Sequence, residues 1–257
     1  MEESGLRISV IGSCRVQDPL IVRGVALDQR GLDGYTHNTK EHLQLLAEPS
    51  AEPLAGPISR ITNLPARRAA VDVADPDRWF VVEICSVRVV KYDAWYMQIN
   101  KFAQYVQELG GADFNALSFK SQEALRGRLA QIPDLTFDGA RIEFYEQGED
   151  EVYADALEIN RRLGGRALFV CHWDVDQLGR TIPQRSVIRK ALSRLAMDEG
   201  VFFLDPTPYV KRSPGAFKDL GHYADPFKPV MGRILANRIG EMIGGESSEL
   251  GSPAGNA

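Results

Sequence analysis

The chain is expected to fold as an α/β protein, a three-layer sandwich around a mainly parallel central sheet. Four short apolar runs lie far apart in the sequence, helical periodicities fall between and after them, and each run ends in small or polar residues. Strands buried on both faces read as continuous apolar segments. Their alternation with helices implies crossover connections and parallel pairing.

The first run, Arg7 to Ile11, leads into Gly12-Ser13-Cys14 and then into a helix. His37 and His42 flank Lys40 and Glu41 in a short helical stretch, and Pro49 to Pro65, rich in proline and small residues, reads as a surface loop. The second run is Phe80 to Ile84. Helical patterns follow over Ala94 to Leu109, Ser121 to Ala130, and Tyr153 to Leu163, the last closed by Gly164-Gly165. The third run, Ala167 to Cys171, precedes the clearest helix, Ser186 to Glu199, where Ile188, Leu192 and Leu195 share one face. Val201 to Leu204 is the fourth strand, and Met231, Leu235, Ile239 and Met242 mark the last helix. These elements predict a single domain over 1–243, with insertions near 45–78 and 110–150. The Gly, Ser and Glu rich tail 244–257 is expected to be disordered.

Composition narrows the function classes. A net charge of -5 with scattered Lys and Arg offers no footprint for nucleic acid. Every apolar stretch falls far short of the roughly 20 residues that cross a bilayer, and the first residues lack the pattern of a secretion signal. Three cysteines, Cys14, Cys85 and Cys171, argue against a disulfide framework. A cytoplasmic protein with reduced thiols is expected. No phosphate-binding glycine loop follows any strand, so nucleotide-driven chemistry has no support.

In open parallel sheets the ligand crevice lies beyond the carboxyl ends of the strands. That rule selects Ser13 and Cys14, then Cys85, Ser86 and Arg88, then His172 and Asp174, then Asp205. A cysteine attacks carbonyls as its thiolate, and a helix start or a neighbouring cation such as Arg15 favours that form. Cys14 is therefore the candidate nucleophile, with Ser13 as rival nucleophile or helix cap. His222 completes a Cys-His pair, its tautomer fixed by Asp219 or by the nearby Asp225. His172 fits either substrate contact, a second acid-base role, or a half-buried structural histidine. Arg88 suits an anionic substrate, support of Glu83, or a solvated surface. No ligand spacing joins His172, Asp174, Asp176 and His222, so no metal is expected.

Gly12-Ser13-Cys14 after a strand, with Asp219-Leu220-Gly221-His222 before the last helix, resembles the SGNH (GDSL-type) hydrolase superfamily. The usual Gly-Asp-Ser places its serine nucleophile on Cys14 and its aspartate on Ser13. This is similar to the cysteine-containing branch, the GSCFA-like proteins and the capsular polysaccharide acyltransferases. Tyr35 to Gln44 is similar to a segment of that branch, which implies that His37, Asn38 and Lys40 lie over the site. The resemblance implies an SGNH/flavodoxin-like sandwich and a Cys14, His222, Asp219 site for acyl transfer. Substrate contacts would come from Ser13, Arg15, His37, Asn38, Lys40, Ser86, Arg88 and His172. The implied reaction is ester hydrolysis or transfer of an acyl group from a coenzyme A thioester to a hydroxyl or amine of a small molecule or glycan, with no other cofactor required. The superfamily's Gly-x-Asn-Asp block falls near Cys85 to Arg88, where asparagine is missing. The oxyanion would then be held by the Cys14 amide and a donor near Ser86. A noncatalytic protein binding coenzyme A or another small molecule is the alternative.

Overall fold

A computed structural model describes residues 6–32, 34–49, 54, 56–67, 69–111, 114, 121–132, 135 and 138–244. The expected α/β sandwich is borne out. Strand β1 (Arg7–Ile11) leads into helix α1 (Cys14–Val22), and two short helices follow, α2 (Thr39–Leu45) and α3 (Gly56–Thr62). The remaining strands of the main sheet are β2 (Arg78–Ile84), β6 (Ala167–Cys171) and β7 (Phe202–Leu204). All pair in parallel, in the order β1-β2-β6-β7.

Alternation along the strands sends side chains to two opposite cores. On one face Phe80, Val82, Ile84 and Phe169 pack against α2, against α6 (Glu149–Arg162) through Val152 and Ile159, and against α7 (Pro183–Glu199) through Ile188, Leu192 and Leu195. On the other, Ile8, Val10, Val81 and Leu168 pack against Val16 and Leu20 of α1 and against Met231, Leu235 and Ile239 of α9 (Lys228–Met242). Each such fully buried Leu, Ile or Val contributes about 1.5–3 kcal/mol of transfer free energy. Gly232 lets α9 sit against α1, because a Cβ there would collide with the carbonyl of Pro19.

Between β2 and β6 the chain builds a second sheet that the helical periodicity of 94–109 conceals. β3 (Arg88–Tyr92), β4 (Trp95–Met97) and β5 (Ile142–Glu146) pair antiparallel in the order β4-β3-β5. The helix expected over Ala94 to Leu109 begins only at α4 (Ile99–Glu108). Upstream of it, Tyr96 pairs with Lys91, and its amide donates to Gln44 Oε1 at 2.8 Å. Gln98 then caps α4, its side chain accepting from the Lys101 amide at 2.7 Å. A third core, with Phe102, Val106 and Ile142, joins this sheet to α4 and to α5 (Gln122–Leu129), which overlaps the helix expected over Ser121 to Ala130. The expected tail lies outside the described residues, apart from Gly244.

The last elements are α8 (Thr207–Arg212) and a two-strand ribbon of β8 (Phe217–Asp219) and β9 (His222–Tyr223), which precedes α9. Among the described residues no helix is long and apolar enough to cross a membrane.

Candidate functional site

Gly12 turns the chain out of β1 with φ +152, and a Cβ there would stand 2.7 Å from the Cβ of Glu83 on β2. Glycine is thus demanded by the approach of a neighbouring strand as well as by its backbone. Glu83 is 1% exposed, a single carboxylate inside an apolar strand, and it is fully used. Its Oε2 accepts from the Ser13 amide at 2.9 Å and the Ser13 hydroxyl at 2.5 Å, and its Oε1 from Arg15 Nε at 2.5 Å. Burial raises the pKa of Glu83, but Arg15 and the Ser13 hydroxyl outweigh burial and hold it below the usual range.

Ser13 caps α1, its Oγ accepting from the Arg15 amide at 3.3 Å. Cys14 opens the helix as a half-buried free thiol. Arg15 and the helix start do pull its pKa down, as expected, but the net direction is upward. Burial pushes the thiol up, and Asp18 and Glu83 add to that against the opposing pull of Arg15 and the residue's own amide. Because burial outweighs the pull of Arg15, Cys14 rests as a thiol and needs a base.

The base candidate stands on the ribbon. His222 Nδ1 lies 2.9 and 3.0 Å from the two oxygens of Asp219, which also accepts from the Gly221 amide at 2.6 Å. Asp225 pairs instead with Lys228 at 3.0 Å. Asp219 is thus the partner of His222, and Nε2 is left for chemistry. Both side chains are open to solvent, 58% for His222 and 52% for Asp219.

Two arginines connect this ribbon to the strand ends. Arg15 Nη1 donates to the Gly221 carbonyl at 3.0 Å, while Arg185 Nη2 donates to Leu220 O at 2.6 Å and its Nη1 to Trp173 O at 3.1 Å. Helix α1 accordingly contacts β9, so the nucleophile and base candidates share one edge of the sheet. No hydrogen bond joins Cys14 to His222 among the described residues.

A family model described as the TviD N-terminal domain matches residues 6–238, a span that includes both ends of this site. The chain belongs to that family. The TviD N-terminal domain family is related to capsular polysaccharide biosynthesis. No curated protein and no solved structure matches the chain.

In this TviD N-terminal domain the other expected site residues divide into two groups. His172 follows β6 and is 4% exposed, with its ring in electrostatic reach of Arg15, Arg185, His37 and His222. His37 lies close to Arg15 and Glu83, and burial lowers its pKa to about 4. Ser86 joins this edge through its amide, which donates to the His37 carbonyl at 3.0 Å. Three others are engaged with partners of their own. Asn38 caps α2, accepting from the Glu41 amide at 3.0 Å and donating to Arg88 O at 2.9 Å. Lys40 pairs with Asp155 at 2.9 Å and Glu151 at 3.1 Å on α6. Arg88 begins the second sheet and pairs with Glu146 at 3.3 Å.

Glu83 and Arg185 were not singled out as site residues by sequence reasoning. Glu83 carried a signal, a carboxylate within the apolar run Phe80-Val81-Val82-Glu83-Ile84. Arg185 carried none, since a basic residue at the start of a surface helix is ordinary. Among the described residues no group of three or more His, Cys, Asp or Glu side chains is arranged to hold a metal ion.

Proposed function

We propose that this domain is an acyl-transfer enzyme of surface-polysaccharide biosynthesis, working in the cytoplasm with Cys14, His222 and Asp219. The observation that carries the reading is the chain Glu83–Arg15–Gly221, which ties the Cys14 turn to the residue before His222. The sequence resemblance to the cysteine-containing SGNH branch supports the same assignment. Cys14 is favoured over Ser13 because the serine hydroxyl is buried and donates to a carboxylate whose charge Arg15 already balances.

In the first half-reaction, His222 Nε2 takes the thiol proton as Cys14 Sγ bonds to the acyl carbonyl carbon. Collapse of the tetrahedral intermediate breaks the bond to the leaving group, which departs with the proton from His222. A hydroxyl or amine of a glycan or small molecule, or water, then attacks the thioester carbonyl carbon and gives a proton to His222; collapse breaks the carbon–sulfur bond, and the departing Cys14 sulfur takes that proton back as the thiol. Asp219 keeps the imidazole in the tautomer with Nε2 free to accept. A coenzyme A thioester is the proposed donor, and the protein needs no other cofactor in this scheme.

The test is hydrolysis of p-nitrophenyl acetate by wild type, Cys14→Ala and His222→Ala, with circular dichroism to confirm folding. Both variants are expected to lose turnover by at least about 10³-fold. Wild-type rates in a folded Cys14→Ala variant would remove the thiol from the reaction and leave the binding-protein alternative.

A further inference from the structure

The proposed reaction places negative charge on the carbonyl oxygen, and such charge needs donors aimed at it. The Cys14 amide, in the first turn of α1, has no intrahelical acceptor and supplies one. The second was expected near Ser86. There the Cys85 and Ser86 amides both donate to the His37 carbonyl, at 2.9 and 3.0 Å, so the backbone of those two residues is already engaged.

His172 offers what that loop does not. Its amide donates to Ile84 O at 3.3 Å, which seats the residue beyond the ends of β2 and β6. Its Nε2 is fully buried and has no hydrogen-bond partner among the described residues. An orphaned buried polar atom costs about 1–3 kcal/mol, so a site that keeps one has a use for it. The groups that act on this ring most strongly are Arg15, Arg185, His37 and His222, and none is a carboxylate. Arg185 forms no ion pair among the described residues, and its hydrogen bonds go to the Trp173 and Leu220 carbonyls. Burial, with Arg15 and Arg185 adding to it, keeps the imidazole neutral, well below its ordinary pKa. A neutral imidazole retains one N–H, and Arg185, the nearby cation without a carboxylate partner among the described residues, favours an arriving anion.

We infer that His172 Nε2–H is the second oxyanion donor, acting with the Cys14 amide on the oxygen of the tetrahedral intermediate. The inference rests on the acyl-transfer reading. His172 neither accepts nor delivers a proton in this role, which separates it from His222.

The experiment measures the rate at which p-nitrophenyl acetate acetylates Cys14, by quenched intact-mass analysis, in wild type, His172→Gln and His172→Leu. His172→Leu is expected to be slower by about 10²–10³-fold, and His172→Gln, which keeps a donor amide, within about 10-fold of wild type. The pH profile of the glutamine variant keeps the wild-type shape. Equal losses in both variants, or none in the leucine variant, would overturn the inference while the acetylated wild type sustains the acyl-transfer reading. A wild type that is never acetylated removes the reading and the inference together. A measurement on wild type avoids dependence on variant folding. A trifluoromethyl ketone adds Cys14 Sγ to its carbonyl carbon, the thiol proton passes to His222, and the oxygen becomes an oxyanion. The His172 Nε2 proton resonance is then expected to move downfield, and an unshifted resonance in the adduct contradicts the assignment.

Discussion

Glu83, Ser13 and Arg15 hold the Cys14 turn by buried charge-assisted hydrogen bonds, whereas Asp219 and His222 stand on a solvent-exposed ribbon tied down through backbone carbonyls. The first arrangement is part of the core: removing any member leaves a buried polar group without its partner. The second is local, an i to i+3 pair whose geometry needs only the ribbon. The contrast teaches that in this site the position of the proposed nucleophile is bound up with folding, and the proposed base is expected to tolerate change without loss of structure.

The largest effect that would sharpen the contrast is at Glu83. Glu83→Ala strands the Arg15 guanidinium and two Ser13 donors, and is expected to cost about 3–5 kcal/mol in urea unfolding, with activity lost as well. On the other side, Asp219→Asn should lower the rate of p-nitrophenyl acetate hydrolysis by about 10²–10⁴-fold while stability stays within about 0.5 kcal/mol. An Asp219→Asn protein that unfolds readily would break the comparison. Gly12→Ala comes next: the positive φ and the approach of Glu83 predict a loss of about 1–3 kcal/mol from the turn that leads into Cys14.

The smallest effect is a pH dependence on the buried side. His42 is wholly buried near Glu83, His37 and the Thr36 backbone, and burial lowers its pKa to about 3. Its folded pKa lies below the unfolded value of about 6.5, so between the two the unfolded chain binds the extra proton and stability falls as pH falls. From pH 7 to pH 5 this histidine should account for about 2 kcal/mol of the loss, read as the difference between wild type and His42→Leu in urea midpoints. Identical pH profiles would remove His42 as a cause.

Much of the main sheet was legible because its strands are buried on both faces and keep unbroken apolar runs such as Ala167–Cys171. The second sheet was not. β3 pairs with β5 across more than fifty residues, Arg88 with Glu146, and no local pattern encodes a partner so distant. Trp95–Met97 was also absorbed into a helical periodicity that starts only at Ile99. In the site, the Cys14 turn and the Asp219–His222 pair were visible from residue type and spacing. The ties of Lys40 to Asp155 and of Arg15 to Glu83 were hidden for the same reason as the second sheet. The raised thiol was hidden too, since the burial that causes it exists only in the folded chain.

The most direct test of the central claim is peptide mapping of the protein quenched after brief exposure to acetyl coenzyme A. The account predicts one acetyl group, carried on Cys14, absent from Cys14→Ala and slow to form in His222→Ala. An acetyl group on Ser13, or an adduct on Cys14 that forms equally fast without His222, would contradict it.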